Sequence, residues 1–285
     1  MRNISKIVIS LFLFWVTGVH QANAVVNFDK QEKNLSLTYT SFMDYPPFGE
    51  YVVTPQRWGQ DIESYETIFS GFAKEFFSSQ GVHYELITDK DYDNLIRRVR
   101  AADADVIFGI YYGTKKYDGL DFVLPAVIDN PVVLIMLPQN VDKVKSLDDL
   151  KKLKGAFFAQ DKFNDFVKNK IEAYDVIKEK DSLELFRKLF MGEIDYIFAS
   201  YYFGVAQSSN LGLRHKLSIS KQAIWNMPMF IGVAKASPHH KSLLQSLMKF
   251  AEKEQNRKLL SDALANKVKE YEQKSLRITP PIFTK

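Results

Sequence analysis

Tyrosine supplies most of the binding chemistry this sequence offers. Residues 109–117 read GIYYGTKKY, which sets Tyr111, Tyr112, the Thr114 hydroxyl and Tyr117 just beyond a short apolar run. A second adjacent pair, Tyr201 and Tyr202, stands just beyond another such run. A phenol offers a flat apolar face and a hydroxyl that donates or accepts. Clustered phenols therefore suit the non-covalent grip of a flat, partly apolar or sugar-like solute. Ordinary packing of large amphipathic side chains with the hydroxyl at the surface is the competing reading.

Covalent and metal chemistry find little support. The chain has no cysteine, which removes disulfides, thiolate metal sites and a cysteine nucleophile. It lacks a Gly-x-Ser-x-Gly elbow, a phosphate-binding loop and a His-Glu-x-x-His pair. His83 and His215 stand alone, and neighbours on a helix such as His239 and His240 do not share a face. No cofactor and no metal are expected. A catalytic reading would have to rest on Asp61, Glu63 or Asp161.

The elements that would position the tyrosines alternate in type. Leu35 to Tyr39 has strand periodicity, and Ser64 to Phe77 carries a helical apolar face. A strand over Tyr84 to Thr88 follows. Tyr92 to Ala101 then spaces Leu95, Ile96 and Val99 as a helix does and leaves Arg97, Arg98 and Arg100 to water. Ala104 to Gly109 is a buried strand. This β-α-β-α-β order implies a parallel sheet, whose ligands bind beyond the carboxyl ends of the strands, here Gly109 to Tyr117. After Val132 to Leu137 and a small helix over Ser146 to Leu153, the alternation recurs. Strands are expected over Ala156 to Ala159, Asp175 to Ile177 and Ile194 to Ala199, with helices over Phe163 to Ala173 and Leu183 to Met191. Met229 to Ala234 is a last strand before a charged helical tail.

Two α/β units joined near Val132 and again near Met229 imply two lobes with a ligand cleft between them. The expected division is residues 25–132 with 229–285, and residues 133–228. Residues 1–24 read as a signal peptide: Arg2 and Lys6 precede the apolar run Ile7 to Val16, and Ala22-Asn23-Ala24 has the small-x-small pattern cleaved after Ala24. A periplasmic location follows. The formal net charge of +4, lower once Arg2 and Lys6 are removed, gives no clustered basic footprint for nucleic acid.

The order and spacing of several segments resemble the periplasmic solute-binding proteins of ABC importers, type II architecture, in the amino-acid-binding branch (extracellular solute-binding protein family 3). These segments are TSFMDYPPF, DYDNLIRRVRAADADVIFG, GTKKYDGLDFVLPA, VVLIML, SLDDLKKLKG, LFRKLFMGEIDYIFAS and MFIGVAKASP. The resemblance implies an α/β fold of two lobes, each a mostly parallel sheet flanked by helices, with two hinge crossings. It also implies a monomer that captures a small solute, closes on it and docks on a membrane permease. Carried over by position, it makes Tyr45 the aromatic lying over the ligand, with Phe48 supporting that loop, and Tyr92 the aromatic stacking from the opposite side. Gly109 to Tyr112 become a strand-end contact. Asp161 and Lys162 fall where a second-lobe helix N-terminus offers an anion site.

Two departures from the family pattern bear on the ligand. The arginine of a Thr-x-x-Arg clamp is replaced, since the residues are Thr114, Lys115, Lys116 and Tyr117. The aspartate that pairs an α-ammonium is replaced by Ser200. A lysine is a point charge and does not reproduce a bidentate fork. The expected solute is therefore not a standard α-amino acid held through the usual clamp. Sensing through a chemoreceptor or kinase, and a dehydratase- or lyase-like activity, are the alternatives such a chain leaves open.

Overall fold

The computed structural model describes residues 36–42, 44–54, 60, 62–89, 91–113 and 115–283. The expected signal peptide, Asp61, Thr114 and the side chain of Glu63 lie outside the described residues. In chain order the elements are β1 (Ser36–Ser41), β2 (Gly49–Thr54), β3 (Ile62–Thr67), α1 (Ser70–Gln80), β4 (His83–Leu86), α2 (Tyr92–Arg100), β5 (Val106–Tyr111), β6 (Leu120–Met136), β7 (Gly155–Phe158), α3 (Asp165–Ile171), β8 (Val176–Glu179), α4 (Ser182–Phe190), β9 (Tyr196–Ser200), α5 (Tyr201–Asn210), β10 (Ser218–Ile219), β11 (Trp225–Ala234), α6 (His240–Glu252) and α7 (Glu254–Ser275).

The main sheet runs β4-β1-β5-β11-β6-β9-β7-β8, with β10 pairing β6. Its two flanks are parallel: β1 pairs β4 and β5, and β7 pairs β8 and β9. Between them β6 and β11 run antiparallel to each other over most of their length, from Trp225 opposite Val132 to Ala234 opposite Leu120. At Val132, β6 also takes up β9, while β11 pairs β5 from Met229 onward. Two long strands thus join two α/β halves.

The halves repeat one local device. Asp91 caps α2 by accepting from the Asp93 and Asn94 N–H groups, and Asp181 caps α4 by accepting from those of Leu183 and Glu184. Each cap is followed at the same spacing by three buried apolar residues: Leu95, Ile96 and Val99 in α2, and Leu185, Phe186 and Leu189 in α4. Both helices end on a left-handed residue, Ala102 (φ 62) and Gly192 (φ 74). In each case the next N–H bonds back into the helix, Asp103 to Arg98 O at 2.8 Å and Glu193 to Lys188 O at 2.9 Å. An aspartate three residues beyond the left-handed position ties the neighbouring parallel strand or its lead-in: Asp105 accepts from Thr38 N of β1 at 2.9 Å, and Asp195 from Lys154 N, just before β7, at 3.2 Å.

Several elements depart from the reading of the sequence. The proline in residues 120–125 predicts a stop, yet β6 continues to Met136. Pro125 lies where β6 slips against β11, between Val123 (opposite Ile231) and Ile128 (opposite Met229), so its missing N–H breaks no ladder bond. Ser146 to Leu153 forms only a short 3-10 turn at Asp149–Lys152. The Ser146 hydroxyl donates to Asp149 at 3.0 Å instead of capping a helix. Gly49–Thr54 and Ile62–Thr67 pair as the β2–β3 hairpin, so the helix expected over Ser64 to Phe77 begins only at Ser70. α5 was not expected. Gly204 lets it lie close on the sheet, since a Cβ there would stand 2.7 Å from the Ile135 side chain.

α7 spans both halves. Tyr271 donates to Glu50 of β2 at 2.7 Å, and Lys267 reaches Glu66 of β3 at 3.1 Å. Further along, Glu272 pairs with Arg214 at 3.2 Å, and Lys274 donates to Asn210 of α5 at 2.9 Å. Beyond the helix, Phe283 packs on Phe190 of α4.

Candidate functional site

The carboxyl ends of β1, β5, β7 and β9 converge on a cleft between the halves. Phe42 follows β1, Tyr111 ends β5, and Ala159 to Phe163 follow β7. Tyr92 opens α2, and Lys116 with Tyr117 lie on the 3-10 turn after β5. These residues, with Phe157, Tyr174 and lysines at the mouth, enclose a cavity of about 630 Å³, within the range of small-molecule sites.

One wall is an aromatic stack. Phe42 and Tyr92 lie nearly parallel, with centroids 4.7 Å apart. The Tyr92 and Tyr117 hydroxyls are 2.7 Å apart, so one donates to the other and a single phenolic proton is left to give. The Tyr111 hydroxyl accepts from Asn130 Nδ2 at 2.8 Å. Burial holds the Tyr92 phenol well above its usual range and pushes that of Tyr117 up to about 12. The wall is therefore uncharged at neutral pH. Two ammonium groups approach the Tyr92 ring, Lys116 Nζ at 4.4 Å and Lys162 Nζ at 5.6 Å from its centroid. Lys116 also pairs with Asp93. Burial and then the nearby Lys116 charge lower the Lys162 ammonium below its usual range.

The floor is a polar knot between the halves. Tyr45 donates its hydroxyl to Asp161 Oδ1 at 2.7 Å, and the Ser200 hydroxyl donates to the same oxygen at 2.8 Å. The Ser200 N–H donates to Oδ2 at 2.6 Å, and the Lys162 N–H adds another bond. Burial nevertheless outweighs these donors and pushes the Asp161 carboxyl up to about 6. Ser200 is the N-cap of α5, yet its hydroxyl serves Asp161 instead of the helix. The carboxylate sits at the positive end of α5 in its place. The Tyr45 ring is clamped between Phe48 (5.3 Å) and Phe203 (5.1 Å).

The sequence-predicted site residues divide accordingly. Tyr92, Tyr111, Tyr117, Asp161 and Lys162 line the cavity. Tyr45 does not. It is wholly buried beneath the cavity, so it reaches the site through Asp161, and Phe48 stacks behind it. Ser200 is likewise buried in the knot. Gly109 is not among the residues lining the cavity. It is the extra residue of a bulge in β5 (φ 83), and a Cβ there would stand 2.9 Å from the Phe69 ring. Tyr112 is 65% exposed and packs against Phe122 outside the cavity, because adjacent residues leaving a strand point opposite ways. Tyr201 and Tyr202 line a different groove, of about 980 Å³, between β6, α5 and α7. That groove is larger but lies away from the strand ends and the polar knot. Trp225 packs on Phe198 and Tyr174. Sequence reasoning missed Phe42, Phe157, Phe163 and Tyr174. Phe42 carried a signal, as the residue leaving β1; Tyr174 carried none.

No family model and no curated protein sequence matches the chain. Solved structures do. A putative binding component of an ABC transporter from Wolinella succinogenes, complexed with lysine, superposes with a TM-score of 0.61 at 17% identity, covering 81% of this chain and 94% of that one. An amino acid ABC transporter substrate-binding protein from Streptococcus pneumoniae, bound to L-arginine, gives 0.58 at 17% identity, over 83% and 95%. A histidine kinase sensor domain with similarity to periplasmic binding proteins gives 0.57 at 15% identity, over 88% and 100%. The fold is thus the two-lobed type II periplasmic-binding-protein fold. Among the described residues no helix is long and apolar enough to cross a membrane.

Proposed function

We propose that this protein is a periplasmic solute-binding component of an ABC-type importer. It captures a small solute in the interlobe cleft and presents it to a membrane permease, without chemical conversion. Residues 1–24 direct export and are cleaved after Ala24. The working unit is a monomer of two lobes, residues 25–132 with 229–285 and residues 133–228, hinged at β6 and β11. Tyr92, Tyr111, Tyr117 and Lys162 contact the solute, while Tyr45 and Ser200 hold Asp161 in place. The observation that carries this reading is the cavity of about 630 Å³ at the strand ends, walled by aromatic rings from both halves.

The cleft also argues against the clamp used for α-amino acids. Tyr117 stands where the clamp arginine would be and bonds another tyrosine. Ser200 stands where the ammonium-pairing aspartate would be, and it donates to Asp161. A zwitterion brought here would leave its ammonium facing lysines, a costly arrangement in a half-desolvated site. Catalysis by Asp161 is disfavoured because both its oxygens already accept hydrogen bonds from the protein. Reporting to a sensor is the second reading, favoured by the shared fold of the histidine kinase sensor domain.

A thermal-shift screen of the purified protein against a broad metabolite library tests solute capture. A bound solute raises the melting temperature by mass action, and Tyr92→Ala abolishes that rise. A library in which every hit survives Tyr92→Ala places the site elsewhere. Turnover of a hit, followed by mass spectrometry, would replace capture with catalysis.

A further inference from the structure

We propose that the captured solute is an aromatic monocarboxylate without an ammonium group, its ring lying against the Tyr92 wall and its carboxylate on Lys162. This rests on the cleft being the solute site and adds the chemical class. The charges around the cavity decide it. Asp161 is the buried acid of the lining, and the protein's own donors from Tyr45, Ser200 and Lys162 occupy its oxygens. It has little left for a ligand cation. The accessible charge of the lining is mainly cationic: Lys116 and Lys162 converge on one ring, and Lys178 and Lys168, the latter paired with Asp165, stand exposed at the mouth, where Glu172 is the exposed acid of the lining.

The two inner lysines are not equivalent. Lys116 already has a direct partner in Asp93, though its charge still acts on Lys162. No carboxylate among the described residues pairs with Lys162, which is half-buried and repelled by Lys116. An ammonium with no direct salt-bridge partner, offset only through space by Asp44, Asp93 and Asp161, beside an uncharged wall suits one negative charge. That anion would relieve the repulsion between the two lysines, whereas an ammonium would add a third like charge. The Tyr92–Tyr117 hydroxyl pair has one proton to donate and suits a carboxylate oxygen. The Phe42–Tyr92 stack, with Phe157 and Phe163 across the cavity, favours a flat ring over an aliphatic chain.

Four probes that share one ring and nearly one chain separate the possibilities: 3-phenylpropanoate, 3-phenylpropanamide, L-phenylalanine and 2-phenylethylamine. Each is titrated calorimetrically into the purified protein at pH 7.5 and low salt. The expected result is that phenylpropanoate binds at least about tenfold more tightly than the amide, a gap typical of one charge-assisted contact. Phenylalanine and phenylethylamine bind more weakly still. In Lys162→Met the carboxylate loses its advantage while the amide affinity stays within about twofold. Lys162→Gln repeats the measurement should the methionine variant fail to fold. Equal or tighter binding of the amide, the zwitterion or the amine overturns the proposal, as does a carboxylate preference that survives both substitutions. Binding of none of the four overturns it too. In that case a hit in the metabolite screen leaves solute capture standing, and an empty screen removes both.

Discussion

Tyr45→Phe removes one oxygen from the polar knot and leaves the ring in its clamp between Phe48 and Phe203. The lost group is the donor to Asp161 Oδ1 at 2.7 Å. A hydrogen bond to a charged partner contributes about 1.5–3 kcal/mol, and one between neutral groups about 0.5–1.5 kcal/mol. The cost should therefore depend on whether Asp161 is ionised. Its carboxyl sits at about 6 in the folded protein against an ordinary 3.8. A raised acid binds its proton more readily folded than unfolded. Stability from this group is thus complete below 3.8 and falls as pH rises through about 6. Without the Tyr45 donor the carboxyl rises further and the fall becomes deeper. Tyr45→Phe should cost about 2 kcal/mol at pH 8 and about 1 kcal/mol at pH 4, a difference near one pKa unit. Urea unfolding followed by tryptophan fluorescence at both pH values measures it. In an Asp161→Asn background the pH dependence of the cost should vanish. A cost equal at the two pH values, or larger in acid, would refute the assignment of Tyr45 as donor to an ionised Asp161.

The paired helix ends make a reciprocal prediction. Ala102→Gly should stabilise by about 1 kcal/mol, and Gly192→Ala should destabilise by a similar amount, because both positions are left-handed. Midpoints of urea unfolding that move the same way for both would contradict the helix-end geometry. Gly109→Ala combines φ 83 with a Cβ at 2.9 Å from the Phe69 ring and 3.2 Å from that of Phe42. A loss of about 2–4 kcal/mol is expected, read as a lowered melting temperature; a neutral substitution would mean the bulge is absent.

The sequence announced α2 and α4 clearly because caps, spacing and stops all agree there. Asp91 and Asp181 precede apolar residues at matching intervals, and Ala102 and Gly192 close the helices. The two-unit organisation was legible from the alternation of strands and helices in each half, whereas the match of caps and stops between the halves emerges only from the structure. α5 was invisible for the opposite reason. Phe203, Gly204, Val205, Ala206, Ser208 and Ser209 are all buried, so the segment has no polar face to alternate with an apolar one. β6 was cut in two because proline usually ends a strand, and only the register of β11 reveals that Pro125 occupies a slip. At the site, strand-end position pointed to Tyr111 and Tyr117, which line the cavity. It could not tell Tyr111, which lines the cavity, from Tyr112, which faces out. Nor could it tell that Tyr45 would face a carboxylate from the other half, since that partnership exists only once residues 45, 161 and 200 are brought together.

α7 has a mechanical consequence. β6 and β11 alone would let one half swing freely against the other. A rod anchored at Glu50 and Glu66 on one side, and at Arg214 and Asn210 on the other, works as a stay alongside that pivot. On the proposed hinge, a wide swing would stretch or unfasten one set of anchors, so the stay would limit its amplitude. Its fastenings are partly exposed charges, which salt weakens, so the ease of the swing should track ionic strength even where the pivot strands do not change.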